Sequence, residues 1–239
     1  MPLLDYISDD DLFQEVRVLI KKTLDKRKKA EKDFNKNVVD PFSSLFEAPS
    51  FANHEAWKSA ELMRQAQKTL QNHVGTFHQK ILGHVEGWED LGTGSVVDLV
   101  NEEKKILAEV KNKYSTVTGG DLAAKYYSLE GLVAPKHSKF KGFTSYFVQV
   151  IPKKPIRYNE LFTPSDKEKG EPCSENELIR VIDGASFYTM VTGRENALKE
   201  LHDVLPSVIE QVYKEELGDD TFKFNDIPNY ANYFELAYG

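Results

Sequence analysis

Asp98 and, eleven residues further on, Glu109-Val110-Lys111 are the side chains of this 239-residue chain whose types and spacing best suit chemistry. Two converging carboxylates suit a hard divalent cation such as Mg²⁺, which takes a few protein oxygens and keeps waters for a substrate. Such an ion lowers the pKa of a bound water and neutralises charge on a phosphate. An ammonium beside it can orient the water or stabilise charge on the pentavalent phosphorus. The pattern therefore reads as a phosphodiester-hydrolysis site. Asp98 and Glu109 are the metal ligands, the Val110 carbonyl is the candidate third oxygen, and Lys111 is the catalytic cation.

These residues work together only if a hairpin holds them. Val96 to Val100 reads as one strand, Asn101-Glu102-Glu103-Lys104 as a polar turn, and Lys105 to Lys113 as a second strand. With a side-chain period of two, Ile106, Ala108 and Val110 face one way and Leu107, Glu109 and Lys111 the other. The antiparallel partner then sets Asp98 near Glu109. The bland alternative is an amphipathic hairpin with a cross-strand ion pair. Glu102-Glu103-Lys104-Lys105 repeats the Glu-x-Lys pattern, but it lies in the turn and too near Asp98.

Around the hairpin the expected elements are mostly helical. Residues 9 to 35 read as a helix with Leu12, Val16, Leu19, Ile20 and Leu24 at helical spacing. Its basic run Lys26-Arg27-Lys28-Lys29 suits a solvated helix end, with a DNA-backbone role as the rival reading. Residues 37 to 52 read as an irregular packed connection. Asn53 can cap a second helix reaching about Leu82. After the hairpin, Thr118 to Asp121 lead into a helix from Leu122 to about Leu132. Phe143 to Ile151 reads as a strand, residues 152 to 173 as a Pro-punctuated excursion, and Leu178 to Ile182 as a buried strand. Asp183-Gly184 opens a short helix ending at Gly193. Glu195 to Leu217 is helical, with Pro206 expected to break or kink it. An aromatic tail, Tyr230 to Gly239, closes the chain. The fold class is mixed α/β, with a helical N-terminal region over 1–85 packed on a core over 86–239, one compact domain in all.

Composition narrows the function by exclusion. A single cysteine, Cys173, rules out an intrachain disulfide and a cysteine zinc cluster. No apolar run approaches the ~20 residues of a membrane span, and the N-terminus lacks a secretory pattern, so a cytoplasmic location is expected. The six histidines include no His-Glu-x-x-His pair, and Gly92-Thr93-Gly94 is not a P-loop.

The residues Asp98 and Glu109-Val110-Lys111-Asn112-Lys113, followed by Tyr114 to Gly120, resemble the core of PD-(D/E)xK nucleases, and type II restriction endonucleases in particular. Ile182-Asp183-Gly184-Ala185-Ser186-Phe187-Tyr188, running to Thr192-Gly193, is similar to a strand-to-helix segment of the same enzymes. The resemblance covers about residues 86 to 193. It departs from the family name at Val97, which stands where that name has a proline. It implies a central mixed sheet flanked by helices and Mg²⁺-dependent cleavage of double-stranded DNA to 5′-phosphate ends. It further implies a homodimer, a prokaryotic host, and a companion methyltransferase acting on the same site. Within the family the wording is most like enzymes that cut GGNCC. Upstream glutamates serve some members as an extra acid, which makes Glu86 a candidate, and Asp90 is the fallback aspartate. A structure-specific repair or recombination nuclease and a catalytically silent DNA-binding module are the rival functions.

Charge locates the DNA. The chain carries 31 Lys+Arg against 38 Asp+Glu, for a net charge of -7. Lys104 to Arg157, however, holds eleven basic residues against three acidic ones, +8, leaving -15 elsewhere. Phosphate neutralisation by such a segment supplies affinity. The candidate DNA contacts are Asn112, Lys113, Thr116, Thr118, Lys139, Lys141 and Arg157, since Lys to guanine and Asn to adenine are favoured groove pairs. By type, Lys113, Lys139, Lys141 and Arg157 are more often phosphate contacts or surface residues than base readers.

Overall fold

A computed structural model describes residues 1–32, 34, 39–92 and 94–239. Helix α1 (Asp9–Lys32) begins with three aspartates in its first turn, where negative charge complements the helix dipole. The expected end of this helix at residue 35 lies outside the described residues. Helix α2 (Pro41–Glu47) occupies part of the stretch expected to be irregular. Asp40 accepts hydrogen bonds from the Phe42 and Ser43 amides, and Pro41 sits at the first position, where its missing N–H costs nothing. This segment is not packed: Phe42 and Phe46 are exposed. Helix α3 (His54–Gly83) is capped by Asn53, whose Oδ1 accepts from Ala56 N at 2.9 Å.

Strands β1 (Glu89–Asp90), β2 (Leu99–Asn101) and β3 (Ile106–Lys113) form an antiparallel meander. Helix α4 (Gly119–Val133) then crosses to β4 (Thr144–Ile151), which lies parallel to β3. The excursion that follows holds β5 (Asn159–Leu161) and a separate small hairpin, β6 (Ser165–Asp166) with β7 (Glu171–Pro172). Strand β8 (Ile179–Asp183) returns parallel to β4. The main sheet is mixed and six-stranded, ordered β1-β2-β3-β4-β8-β5. Helices α5 (Gly184–Thr192), α6 (Ala197–Leu217) and α7 (Ile227–Tyr238) complete the chain.

Both faces of the sheet are covered, so its central strands are nearly continuous apolar runs. On one face Leu99, Ala108, Val110, Val148, Val150 and Ile182 pack with Leu12, Val16, Phe77 and Ile81 of α1 and α3. Phe187 and Leu201, from α5 and α6, join them. On the other face Val100, Leu107, Phe147 and Ile179 pack with Ala123, Tyr126, Leu129 and Val133 of α4. The period-two reading of β3 assigns these faces as the clusters do.

Two local departures, and one expected start, have physical causes. Strand β2 starts at Leu99 and not at Val96, because the Asp98 side chain takes over the ladder there. Helix α6 runs through Pro206 without ending. The proline removes one N–H from its ladder, that owed to the His202 carbonyl four residues back. Helix α5 begins at Gly184 as expected, and its packing requires a glycine there. A Cβ on Gly184 would lie 2.3 Å from the Val150 carbonyl oxygen, so the helix can approach β4 only without one. The C-terminal α7 docks through Tyr238, whose hydroxyl donates to Val150 O at 3.0 Å, and through Phe234 against His202.

Candidate active site

Asp98 sits immediately before β2, and the register Leu99↔Ala108 sets it opposite Glu109. Its amide donates to Ala108 O at 2.8 Å. Its Oδ2 accepts the Val110 N–H at 2.7 Å, closing the ladder with a side chain where β2 has run out. A residue's N–H and C=O leave a strand on the same side. The Val110 carbonyl therefore points with its N–H past the end of β2, toward Asp98. This is what a third oxygen ligand requires.

Burial pushes the Asp98 carboxyl up from its ordinary 3.8 to about 6, and the Glu109 charge adds to that; the Val110 N–H and Lys111 oppose it. Asp90 adds a smaller push in the same upward direction. A half-buried carboxylate facing a second, buried carboxylate is a site that gains by binding a cation.

Glu109, 4% exposed, lies on the α4 face of β3. Its Oε1 meets Lys111 Nζ at 2.7 Å and Lys125 Nζ, from α4, at 2.8 Å. Lys111 shares the face of Glu109 because the two are two residues apart on one strand. Lys125 is the residue that reading the sequence by spacing missed. It is sixteen positions from Glu109 in the chain, and only the packing of α4 over β3 brings it in.

Among the described residues no group of three or more His, Cys, Asp or Glu side chains could hold a metal. Two carboxylates and a carbonyl suit Mg²⁺, which retains waters and takes its other oxygens from a phosphate, and they do not suit a closed zinc cage.

Beside Asp98 opens a cleft of about 610 Å³ between α3 and the C-terminal end of β3. Lys111, Asn112, Lys113, Ser115 and Thr116 line one wall. Lys68, Gln71, Asn72, Thr76 and Gln79 of α3 line the other. These α3 residues recur at helical spacing, so they form one polar face. Their spacing was legible in the sequence. That this face looks into the site was not.

The structure gathers some of the expected residues and disperses others. Lys113 and Thr116 lie in the cleft, and Thr116 Oγ1 accepts the Lys113 N–H at 3.1 Å. Asn112 is buried on the α3 face, opposite to Lys111, with Nδ2 3.4 Å from the Gln71 carbonyl oxygen. Thr118 precedes α4 and donates to Asp121 Oδ2. Arg157 is engaged with Thr189 Oγ1 and the Glu195 carbonyl, tying the excursion to α5 and to the turn between α5 and α6.

Lys139 and Lys141 lie in the loop before β4, whose first residue Thr144 pairs with Ile106. That is the opposite edge of the sheet from Lys111, roughly 16 Å along the strand at about 3.3 Å per residue. Lys139 lies over the Phe140 ring there. Glu86 is exposed in the turn before β1. Its neighbour Gly87 lies against Asn101, again at the far end of the hairpin, so the structure does not bring Glu86 to Asp98. Asp90 is nearer, but it is paired with Lys80, Gln79 and the Gly92 N–H, which outweigh the upward push of burial and hold its carboxyl below the usual range.

The basic segment thus divides. Lys111, Lys113, Lys125, Lys153 and Lys154 lie toward the cleft edge, while Lys104, Lys105, Lys136, Lys139 and Lys141 lie at the hairpin-turn edge. No helix among the described residues is long and apolar enough to cross a membrane.

Comparison with known proteins shows the family. The family model described as Eco47II restriction endonuclease matches residues 4–214. The chain is 61% identical over 239 residues to the type II restriction enzyme Eco47II of Escherichia coli, covering 100% of both chains. It is 29% identical over 214 residues to the type II restriction enzyme Sau96I of Staphylococcus aureus, covering 87% of this chain and 80% of that one. The match spans α1 to α6, so it takes in the N-terminal helices as well as the Asp98 hairpin. With its mixed sheet flanked by helices, the chain belongs to the Eco47II restriction endonuclease family, a family of type II site-specific deoxyribonucleases.

Proposed function

We propose that this enzyme hydrolyses both strands of a short, symmetric duplex site at the Asp98–Glu109–Lys111 centre, on a PD-(D/E)xK core, with Mg²⁺ as its metal. The observation that carries the reading is that the half-buried Asp98 and Lys111 line one cleft, with the buried Glu109 behind them, paired with Lys111 at 2.7 Å and close enough for its charge to act on Asp98. Asp98, Glu109 and the Val110 carbonyl would hold the Mg²⁺, which when bound would supply Lewis-acid charge and lower the pKa of a bound water.

The chain's own groups do the rest. The Val110 N–H fixes the rotamer of Asp98. Glu109 holds Lys111 at the cleft wall, where its ammonium can meet the scissile phosphate or the attacking water. The polar face of α3 and the Lys113–Thr116 turn bound the channel in which a duplex backbone runs. Uncharged amides and hydroxyls there suit phosphate and sugar contacts, with Lys113 as a charged anchor.

Two strands of a symmetric site call for two active sites related by a two-fold axis, hence a homodimer. GGNCC is the target we propose, from the resemblance of the hairpin to enzymes that cut that sequence. A host carrying such an enzyme needs a methyltransferase of the same specificity.

The test is digestion of unmethylated plasmid DNA with purified protein and Mg²⁺, followed by sequencing of the ends. Discrete fragments with 5′-phosphates ending within GGNCC are expected, and Asp98→Ala should yield none. A smear, or branch-dependent cutting, would favour the repair-nuclease reading. Cleavage unaffected by Asp98→Ala would remove the proposed centre.

A further inference from the structure

Glu109 is at the centre of three claims: those of Lys111, Lys125 and an incoming divalent cation. Both ammonium groups meet the same oxygen, Oε1, at 2.7 and 2.8 Å. The carboxylate is buried, so neither contact is diluted by water as a surface pair would be. The Asp98 carboxylate opposite is the countercharge that draws a cation in, but both ammoniums crowd the same Glu109 oxygen. A divalent ion approaching that oxygen meets repulsion from both. The metal must displace a lysine from Oε1 or be confined to Oε2 alone.

The two lysines are not equivalent. Lys111 is on the same strand and face as Glu109, and its side chain is 23% exposed. Lys125 comes from another element, the second turn of α4, and its side chain is 36% exposed. It is the one with a route to solvent and to a phosphate.

We propose that Lys125 is a positioning residue that occupies Glu109 in the DNA-free enzyme and releases it when a DNA phosphate offers an alternative anion. This rests on the reading of Asp98 and Glu109 as the metal centre. The consequence is linkage between the two ligands. Metal binds weakly to the free enzyme and more tightly once DNA has drawn Lys125 away, and by reciprocity metal tightens DNA binding by the same factor. Metal-dependent cutting would thereby be confined to the DNA-bound state.

The test is Mg²⁺ titration of the DNA-free dimer or monomer by calorimetry, with no cleavage involved. Lys125→Met and Lys125→Gln remove the competing charge and keep the helix, and both should bind Mg²⁺ about tenfold more tightly than the unaltered protein. Lys125→Arg retains the charge and should restore weak binding, which a purely structural role for the side chain would not predict. Unchanged or weaker Mg²⁺ binding in both neutral variants, with far-ultraviolet circular dichroism intact, overturns the proposal. Asp98→Ala separates the two levels. If it leaves Mg²⁺ binding unchanged, the metal centre itself is misplaced; if it weakens binding while the neutral Lys125 variants do nothing, only the role of Lys125 falls.

Discussion

Replacing Asp98 with asparagine should make the metal-free protein more stable at pH 8 while abolishing cleavage. Asparagine keeps an Oδ1 for the Val110 N–H, so the hydrogen bond that closes the β2–β3 ladder survives. What it removes is a negative charge that burial and Glu109 both disfavour. The sign follows from linkage. The folded value, about 6, lies above the ordinary 3.8, so the folded chain binds this proton more tightly than the unfolded one. The ionised carboxylate therefore weakens the fold above pH 6, and that penalty disappears as the pH falls through 6 toward 3.8. At one pH unit per 1.36 kcal/mol the full penalty is on the order of 3 kcal/mol. In a domain of this size it corresponds to a rise in Tm of roughly 6–12 °C.

The assay is urea unfolding in EDTA, with Asp98→Asn and the unaltered protein compared at pH 8 and pH 5. The variant should lead by the full margin at pH 8 and by roughly half of it at pH 5. Adding Mg²⁺ at pH 8 should stabilise the unaltered protein and leave the variant nearly unmoved, because only a ligand bound to the folded state shifts the equilibrium. A variant equal or inferior in stability at pH 8, or a gap independent of pH, would refute the argument that this carboxylate is held at a cost for the sake of the metal. Such a cost at a functional position is the usual form of the trade between stability and activity.

Two further outcomes test the placement of the other residues. Lys113→Ala should reduce the slope of log K for DNA against log salt by about 1, whereas joint replacement of Lys139 and Lys141 by alanine should leave it unchanged; equal losses would show that DNA reaches the hairpin-turn edge of the sheet. Gly184→Ala should destabilise the fold by about 1–3 kcal/mol in urea unfolding, since its Cβ would meet the Val150 carbonyl at 2.3 Å; unchanged stability would mean that α5 does not approach β4 so closely.

The strand-turn-strand around Asp98 was legible because a two-residue period and a short turn act locally. The identity of the fold class followed from the order of strands and helices, and the cap at Asn53 and the start of α5 at Asp183-Gly184 from side chains that bond their own neighbours. The α2 helix was read as irregular because its helix-forming stretch is short and unpatterned, and its apolar side chains face solvent. Charge along the chain gave only half an answer. The +8 segment is one stretch in sequence, yet α4 runs back across the sheet and divides its lysines between two edges.

The sequence by itself determined that Asp98, Glu109 and Lys111 belong together, because all three sit on one hairpin whose geometry is local. It could not determine who else stands there. Lys125, from α4, and the Gln71-Asn72-Thr76 face of α3 reach the site only through the packing of two helices on opposite sides of β3. That packing is set by apolar burial over the whole sheet, a non-directional sum that no short spacing records. The same packing placed Glu86 at the far end of the hairpin, where its chemistry alone had made it a candidate.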